Sequence, residues 1–175
     1  MSDATATRLW TPDGFQDDEW QHAEGADALG GNGSFILPLA AFLALSPAER
    51  EAHAGRLGVK LLPGETLEAV LPFLDALPLV ALAFPAFSDG RSFSKAELLR
   101  TRHGYAGTIR ATGQVLVDQF PHMLRLGFDA FEISNPTLLA RLEKGETGGI
   151  PLHYQPAVVT EAPGETYSWR RVSKP

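Results

Sequence analysis

The chain has 175 residues, 44% of them hydrophobic and 21% charged, which is the make-up of one ordinary globular domain rather than a fibrous or disordered chain. It has no cysteine, which excludes disulfides, thiolate nucleophiles, protein-ligated iron–sulfur clusters and cysteine-bound zinc. The net charge of −6 argues against a nucleic-acid binder. No apolar run reaches the ~18–20 residues of a membrane span, and MSDATATRLW lacks a signal-peptide profile, so a cytoplasmic protein of bacterial type is expected.

Residues 1–33 are polar and acidic, holding seven acids against Arg8 in the first thirty positions. They read as an irregular N-terminal arm, loosely anchored by Leu9, Trp10, Phe15 and Trp20, with disorder expected in the first few residues. One hairpin is expected there, with Thr11-Pro12-Asp13-Gly14 as its turn. A single α/β domain follows over 34–160, then a surface tail over 161–175.

Phe35 to Leu39 reads as a buried strand. Ser46-Pro47-Ala48-Glu49 has the spacing of a capping box, and Gly55 or Gly58 ends the helix it starts. A short strand is expected over Val59–Leu62. Leu67, Val70, Leu71, Leu74 and Leu77 then recur at helical spacing, with a kink at Pro72. LVALAF (79–84) is a continuous apolar run of strand length, the pattern of a parallel strand covered on both faces. Ser94 is expected to cap the next helix, with Glu97 three residues on and a staple between Phe93 and Leu98; Gly104 ends it.

TIRATG (108–113) is a strand. Leu116, Phe120, Met123 and Leu124 mark a helix face, where either Asp118 caps and Pro121 sits in the first turn, or Pro121 kinks the helix. FDAFEI (128–133) is the last clear strand, and Asn135-Pro136 opens a helix closed at Gly145. Ile150, Leu152, Tyr154 and Val158-Val159 suit an edge strand. This alternation predicts an open, mostly parallel sheet of about five strands with flanking helices.

Parallel sheets carry their chemistry where the strands end. Asp89-Gly90-Arg91 lies between a strand end and a helix start, where backbone amides and Arg91 with Lys95 favour an anion. Arg110 is a charge inside a strand, so it needs either a ligand or a partner among Asp118, Glu132 and Asp89. Thr112 and Gly113 occupy the end of that strand, and Gln119 follows Asp118. The candidate ligand-binding set is therefore Asp89, Gly90, Arg91, Ser94, Arg110, Gly113 and Gln119, with Asp89, Arg110 and Asp118 as catalytic candidates. Residues 89–125 carry six bases against three acids, a strip suited to an acidic partner.

The five histidines show no metal spacing, and no dinucleotide fingerprint, P-loop or nucleophile elbow is present. Any redox role would fall to an organic cofactor such as a flavin, which no sequence feature supports, or to a partner protein.

The stretch FPAFSDGRSFSKAELLRTRHGYAGTIRATGQVLVDQFPHMLRLGFDAFEI (84–133) resembles the bacterial domain-of-unknown-function family 934. The likeness is strongest over 79–133 and extends from about 34 to 156. It includes Asp89, Gly90, Arg91, Ser94, Arg110, Gly113, Asp118 and Gln119; Pro121 departs from it, and the first thirty residues match poorly. Members carry the label of an oxidoreductase in sulfite reduction, because their genes lie beside assimilatory sulfite reductase. The resemblance implies an accessory protein of that pathway, acting with sulfite reductase or its electron donor. The residues leave a second reading open, an enzyme or binder of a small anion or flavin-type ligand at the strand ends.

Overall fold

The computed structural model describes residues 7–86 and 88–148. Eight strands form one sheet: β1 (Arg8–Thr11), β2 (Gly14–Gln16), β3 (Trp20–His22), β4 (Ser34–Pro38), β5 (Leu57–Leu61), β6 (Leu79–Phe84), β7 (Thr108–Gly113) and β8 (Ala130–Ile133). Their spatial order is β2-β1-β8-β7-β6-β5-β4-β3. The connections carry α1 (Leu39–Ala44), α2 (Pro47–Ala52), α3 (Arg91–Thr101), α4 (Phe120–Arg125) and α5 (Pro136–Glu143). Strands β3 to β8 pair in parallel and in chain order, whereas β1 is antiparallel to both β2 and β8.

The sheet is therefore mixed and eight-stranded, and it replaces the expected open, mostly parallel one of about five strands. The N-terminal arm is not irregular, since residues 8–22 supply three strands. Two of them, β1 and β2, are the hairpin expected around Thr11-Pro12-Asp13-Gly14, while β3 is three residues long, too short for period-two patterning to register in the sequence.

Topology forces the sheet to curl. Strands β2 and β3 stand at opposite edges, yet only residues 17–19 separate them. The four steps from Gln16 to Trp20 span at most ~14 Å. A flat sheet of this width would hold its edges ~34 Å apart, at about 4.8 Å per strand. Strand directions agree with closure: β2 opposes β1, which opposes β8, so β2 runs in the same sense as β3. Gly14 to His22 is thus one run in one direction. It pairs with β1 first and with β4 last, bending at Asp17-Asp18-Glu19 between them.

The two faces differ in chemistry. On the outer face Val80, Leu82, Phe84, Ile109, Ala111, Phe131 and Ile133 pack under the helices with Leu99, Phe120, Met123, Leu138 and Leu142. Trp10 stands edge-on to Phe120 and Phe131, with centroids 5.0 and 5.9 Å apart, which ties β1 into the same core. On the inner face Trp20 packs against Ile36, Leu79 and Ala81.

Local signals act as their chemistry requires. Ser46 and Glu49 make the capping box of α2, and Asn135 accepts the Leu138 amide to cap α5. Helix α3, however, begins at Arg91 with Gly90 as its N-cap, not at Ser94. Ser92 explains the shift: its buried hydroxyl donates to the Ala83 carbonyl at 2.7 Å and docks the first turn on β6. Phe93 packs on Phe84 at 5.1 Å instead of stapling Leu98, which is exposed. Pro121 falls in the first turn of α4, with Gln119 rather than Asp118 at the N-cap. The Leu67–Leu77 stretch forms two 3-10 turns, Leu67–Ala69 and Leu71–Ala76, because Pro72 withholds the amide a continuous helix needs. The expected C-terminal edge strand, the 161–175 tail and the disorder of the first residues lie outside the described residues.

Gly113 ends β7 at φ +98°, and a Cβ there would stand 2.5 Å from the Phe84 carbonyl oxygen. Gly113→Ala is expected to cost ~2 kcal/mol or more of unfolding free energy. Gly55→Ala has a similar positive φ but open space around it. It should cost only ~1 kcal/mol, and urea midpoints compare the two.

Candidate functional site at the inner face of the curled sheet

Side chains alternate along a strand, so β7 turns Ile109 and Ala111 outward and Arg110 and Thr112 inward, while β8 turns Glu132 inward. Arg110 is 2% exposed. A guanidinium at that depth has to be paired. Its Nη1 donates to Asp18 Oδ2 at 2.8 Å and to Glu132 Oε1 at 3.2 Å, and its Nη2 donates to Asp18 Oδ1 at 3.0 Å. Glu132 Oε1 also lies 2.8 Å from His22 Nε2, and its Oε2 accepts from Thr112 Oγ1 at 2.6 Å. Asp18 precedes β3 and His22 ends it, so the closing run meets the far side of the sheet through charged side chains.

Burial of Glu132 pushes its carboxyl pKa up, but the hydrogen bonds from His22 and Thr112 and the nearby charges outweigh it, and the net pKa is lowered. Register places Ala81 and Ala130 on either side of Arg110, which leaves its long stem room to lie inside the sheet. The Nε–H of Arg110 has no hydrogen-bond partner among the described residues. Its guanidinium already supplies positive charge to both carboxylates, and no group of three His, Asp or Glu among the described residues has the geometry to hold a metal.

The candidate residues divide between two places. Asp89 and Arg91 pair with each other at the outer rim, where Arg91 Nε and Nη2 donate to the carboxylate at 2.9 and 2.6 Å. Those bonds draw the Asp89 pKa down to about 2. Gly90 caps α3 beside them, and Ser94 is exposed one turn on. Lys95 turns away from this pair and is buried, donating to the carbonyls of Leu62 and Pro63 at 2.9 and 2.8 Å. Asp118 is exposed in the loop before α4, and Gln119 is half-buried at its start. Gly113 is exposed at the end of β7. Among the described residues no hydrogen bond or ion pair joins Arg110 to Asp89, Arg91 or Asp118; of the three partners proposed for it, Glu132 is the one it meets.

Sequence reasoning passed over Asp18 and His22. Asp18 reads as one acid in an acidic turn, and His22 as one scattered histidine. The available signal was the unpaired charge of Arg110, which called for acids without saying from which segment.

A cleft of about 600 Å³ opens at the opposite end of the sheet, among the loops leading into β5, β6 and β7. Backbone, Asp75, His103 and Tyr105 line it. The Tyr105 hydroxyl is committed to the Leu77 carbonyl at 2.8 Å, so the cleft offers little convergent chemistry.

Residues 58–164, more than half of the chain, match the family described as "Bacterial protein of unknown function (DUF934)". No curated protein matches the chain.

Arg110→Met should cost ~3–5 kcal/mol of stability, because Glu132 would remain buried without its cation and Asp18 would lose its partner across the sheet. Adding Asp18→Asn and Glu132→Gln to that variant should restore part of the loss, a comparison for urea unfolding. Glu132 has a lowered folded pKa, so its contribution is complete above the ordinary carboxylate range and fades as pH falls through the folded value. Glu132→Gln is expected to flatten the acid limb of a stability–pH curve and leave the slope above neutrality unchanged.

Proposed function

This chain belongs to the bacterial DUF934 family, and on that premise we propose that it serves as an accessory protein of assimilatory sulfite reduction, docking on sulfite reductase or on its electron donor. The label carried by family members supplies the pathway. The observation that carries a docking role is on α3. Arg91, Leu98 and Arg102 fall on one stripe at helical spacing, and all three are exposed. Leu62 is 46% exposed and Leu98 40%, among the few large apolar side chains left open to water. The loop bearing Leu62 is held against α3 by Lys95. An apolar centre with basic flanks is the make-up of a modest, transient interface with an acidic partner.

The internal bonding narrows the basic strip read from sequence. Of its six bases, Lys95 and Arg110 are buried, and Arg100 bonds the carbonyls of Tyr105, Gly107 and Gly127 and the carboxylate of Asp129. Arg102 and Arg125 remain for a partner, together with Arg91, which Asp89 already partners. The absence of cysteine agrees with a protein that assists redox chemistry instead of carrying the electrons on its own side chains.

Co-purification with sulfite reductase or its donor at low ionic strength is the test. Binding should weaken as salt rises toward ~0.5 M, where screening lengths shrink to a few ångströms. Leu98→Glu with Arg102→Glu should weaken it by about tenfold or more while leaving the melting temperature within a few degrees. Equal binding by that double variant would remove the stripe, and no binding by the wild-type chain at low salt would remove the docking role.

A further inference from the structure

The six parallel strands β3 to β8 end at one rim. By alternation, the inward residue nearest each end is His22 on β3, Pro38 on β4, Lys60 on β5, Ala83 on β6, Thr112 on β7 and Glu132 on β8. Pro38 and Ala83 offer no side-chain donor. Glu132 is engaged by His22, Thr112 and Arg110, and the Thr112 hydroxyl by Glu132.

Lys60 is different. Gly58, two residues before it, faces Leu79 and Trp20, which fixes the inner face of β5, and register places Lys60 in one row with Ala81 and Arg110. The residue is half-buried, yet it makes no hydrogen bond or ion pair among the described residues. An ammonium partly withdrawn from water, with three donors unused, favours an acceptor. His22 uses Nε2 on Glu132 and has a side chain 36% exposed, so its Nδ1 remains for a second partner. The inner face balances Asp18 and Glu132 against Arg110 and Lys60.

We propose that this rim binds a small oxyanion, held by the Lys60 ammonium and the Nδ1–H of a protonated His22. In the imidazolium both ring nitrogens donate, Nε2 to Glu132 and Nδ1 to the anion; in the neutral ring that donates to Glu132, Nδ1 is an acceptor and repels it. Trp20, Ile36 and Leu79 fill the inner face below, so the ligand is limited to a few heavy atoms. The docking stripe lies outside the sheet on α3, and either proposal survives failure of the other.

The test is titration of the full chain with sodium sulfate, sulfite and phosphate at constant ionic strength, read by the NMR resonances of the His22 ring and the Lys60 side chain. Saturable shifts at both residues are expected with at least one of the three below ~10 mM. Lys60→Met should lower that affinity by about tenfold or more, Lys60→Arg should retain most of it, and His22→Gln, which removes the Nδ1 donor, should weaken it. Unchanged affinity in Lys60→Met overturns the proposal, as does the lack of a saturable shift at His22 and Lys60 with all three anions. Should Lys60→Met fail to fold, the wild-type shifts and the Lys60→Arg affinity decide it.

Discussion

A fully buried arginine is tolerable only where acids reach it, and at Arg110 that requirement organises the molecule. Its carboxylate partners come from β8, its neighbour in the sheet, and from the turn before β3, which the chain visits 92 residues earlier. Satisfying the guanidinium therefore brings together segments that no backbone pairing joins. His22 repeats the connection from the end of the same strand, on the same Glu132 carboxylate. Such a network need not add stability over a well-packed apolar core. Its effect is selective: a one-residue slip of β3 would turn His22 out of the interior and take Asp18 out of reach.

The same sheet presents two kinds of surface. Outward, aromatic and branched side chains meet the helices and form a buried core. Inward, Trp20 and its aliphatic neighbours fill one part, and ionisable groups occupy the rest. This division follows from the topology. Parallel strands in chain order place their crossovers on one side by the right-handed rule. The other side then has no helices to cover it and has to fill itself, which it does with a mixture of apolar packing and paired charge. Lys95 and several arginines that look free in the sequence are spent on carbonyls and carboxylates, so linear charge overstates the basic surface.

What was legible in the sequence was what short-range physics determines. LVALAF and TIRATG form strands with the boundaries their apolar patterns predict, and FDAFEI contains the last one. Ser46, Glu49 and Asn135 cap helices because their side chains reach amides only three residues away. Ser94 failed as a cap because Ser92 found a stronger local use, a buried bond to β6 that only the folded sheet supplies. The N-terminal hairpin was legible through its turn residues, Thr11-Pro12-Asp13-Gly14, whereas β3 and the seating of β1 on β8 were hidden by short strands and the acids between them. Arg110 announced a need for partners, and Glu132 was within the range of expectation. Asp18 was not, because the closure that delivers it depends on long-range pairing that no local pattern encodes. Lys60 was passed over for the same reason: a lysine near a strand end is ordinary until the strand's inner face is known.

The run from Gly14 to His22 carries a consequence for assembly. It is made before β4 and β8 exist, and β1, its other neighbour, is itself seated on β8. The ribosome thus delivers the last piece of the puzzle among the first. Until β8 emerges, the unfinished sheet has two raw borders and an unmatched arginine, a state inviting to chaperones and to other nascent chains. Folding of this kind is governed by contacts distant in sequence and is slow for its size. The contacts that seal the sheet are therefore the last that synthesis makes possible, although half of each is present from the start.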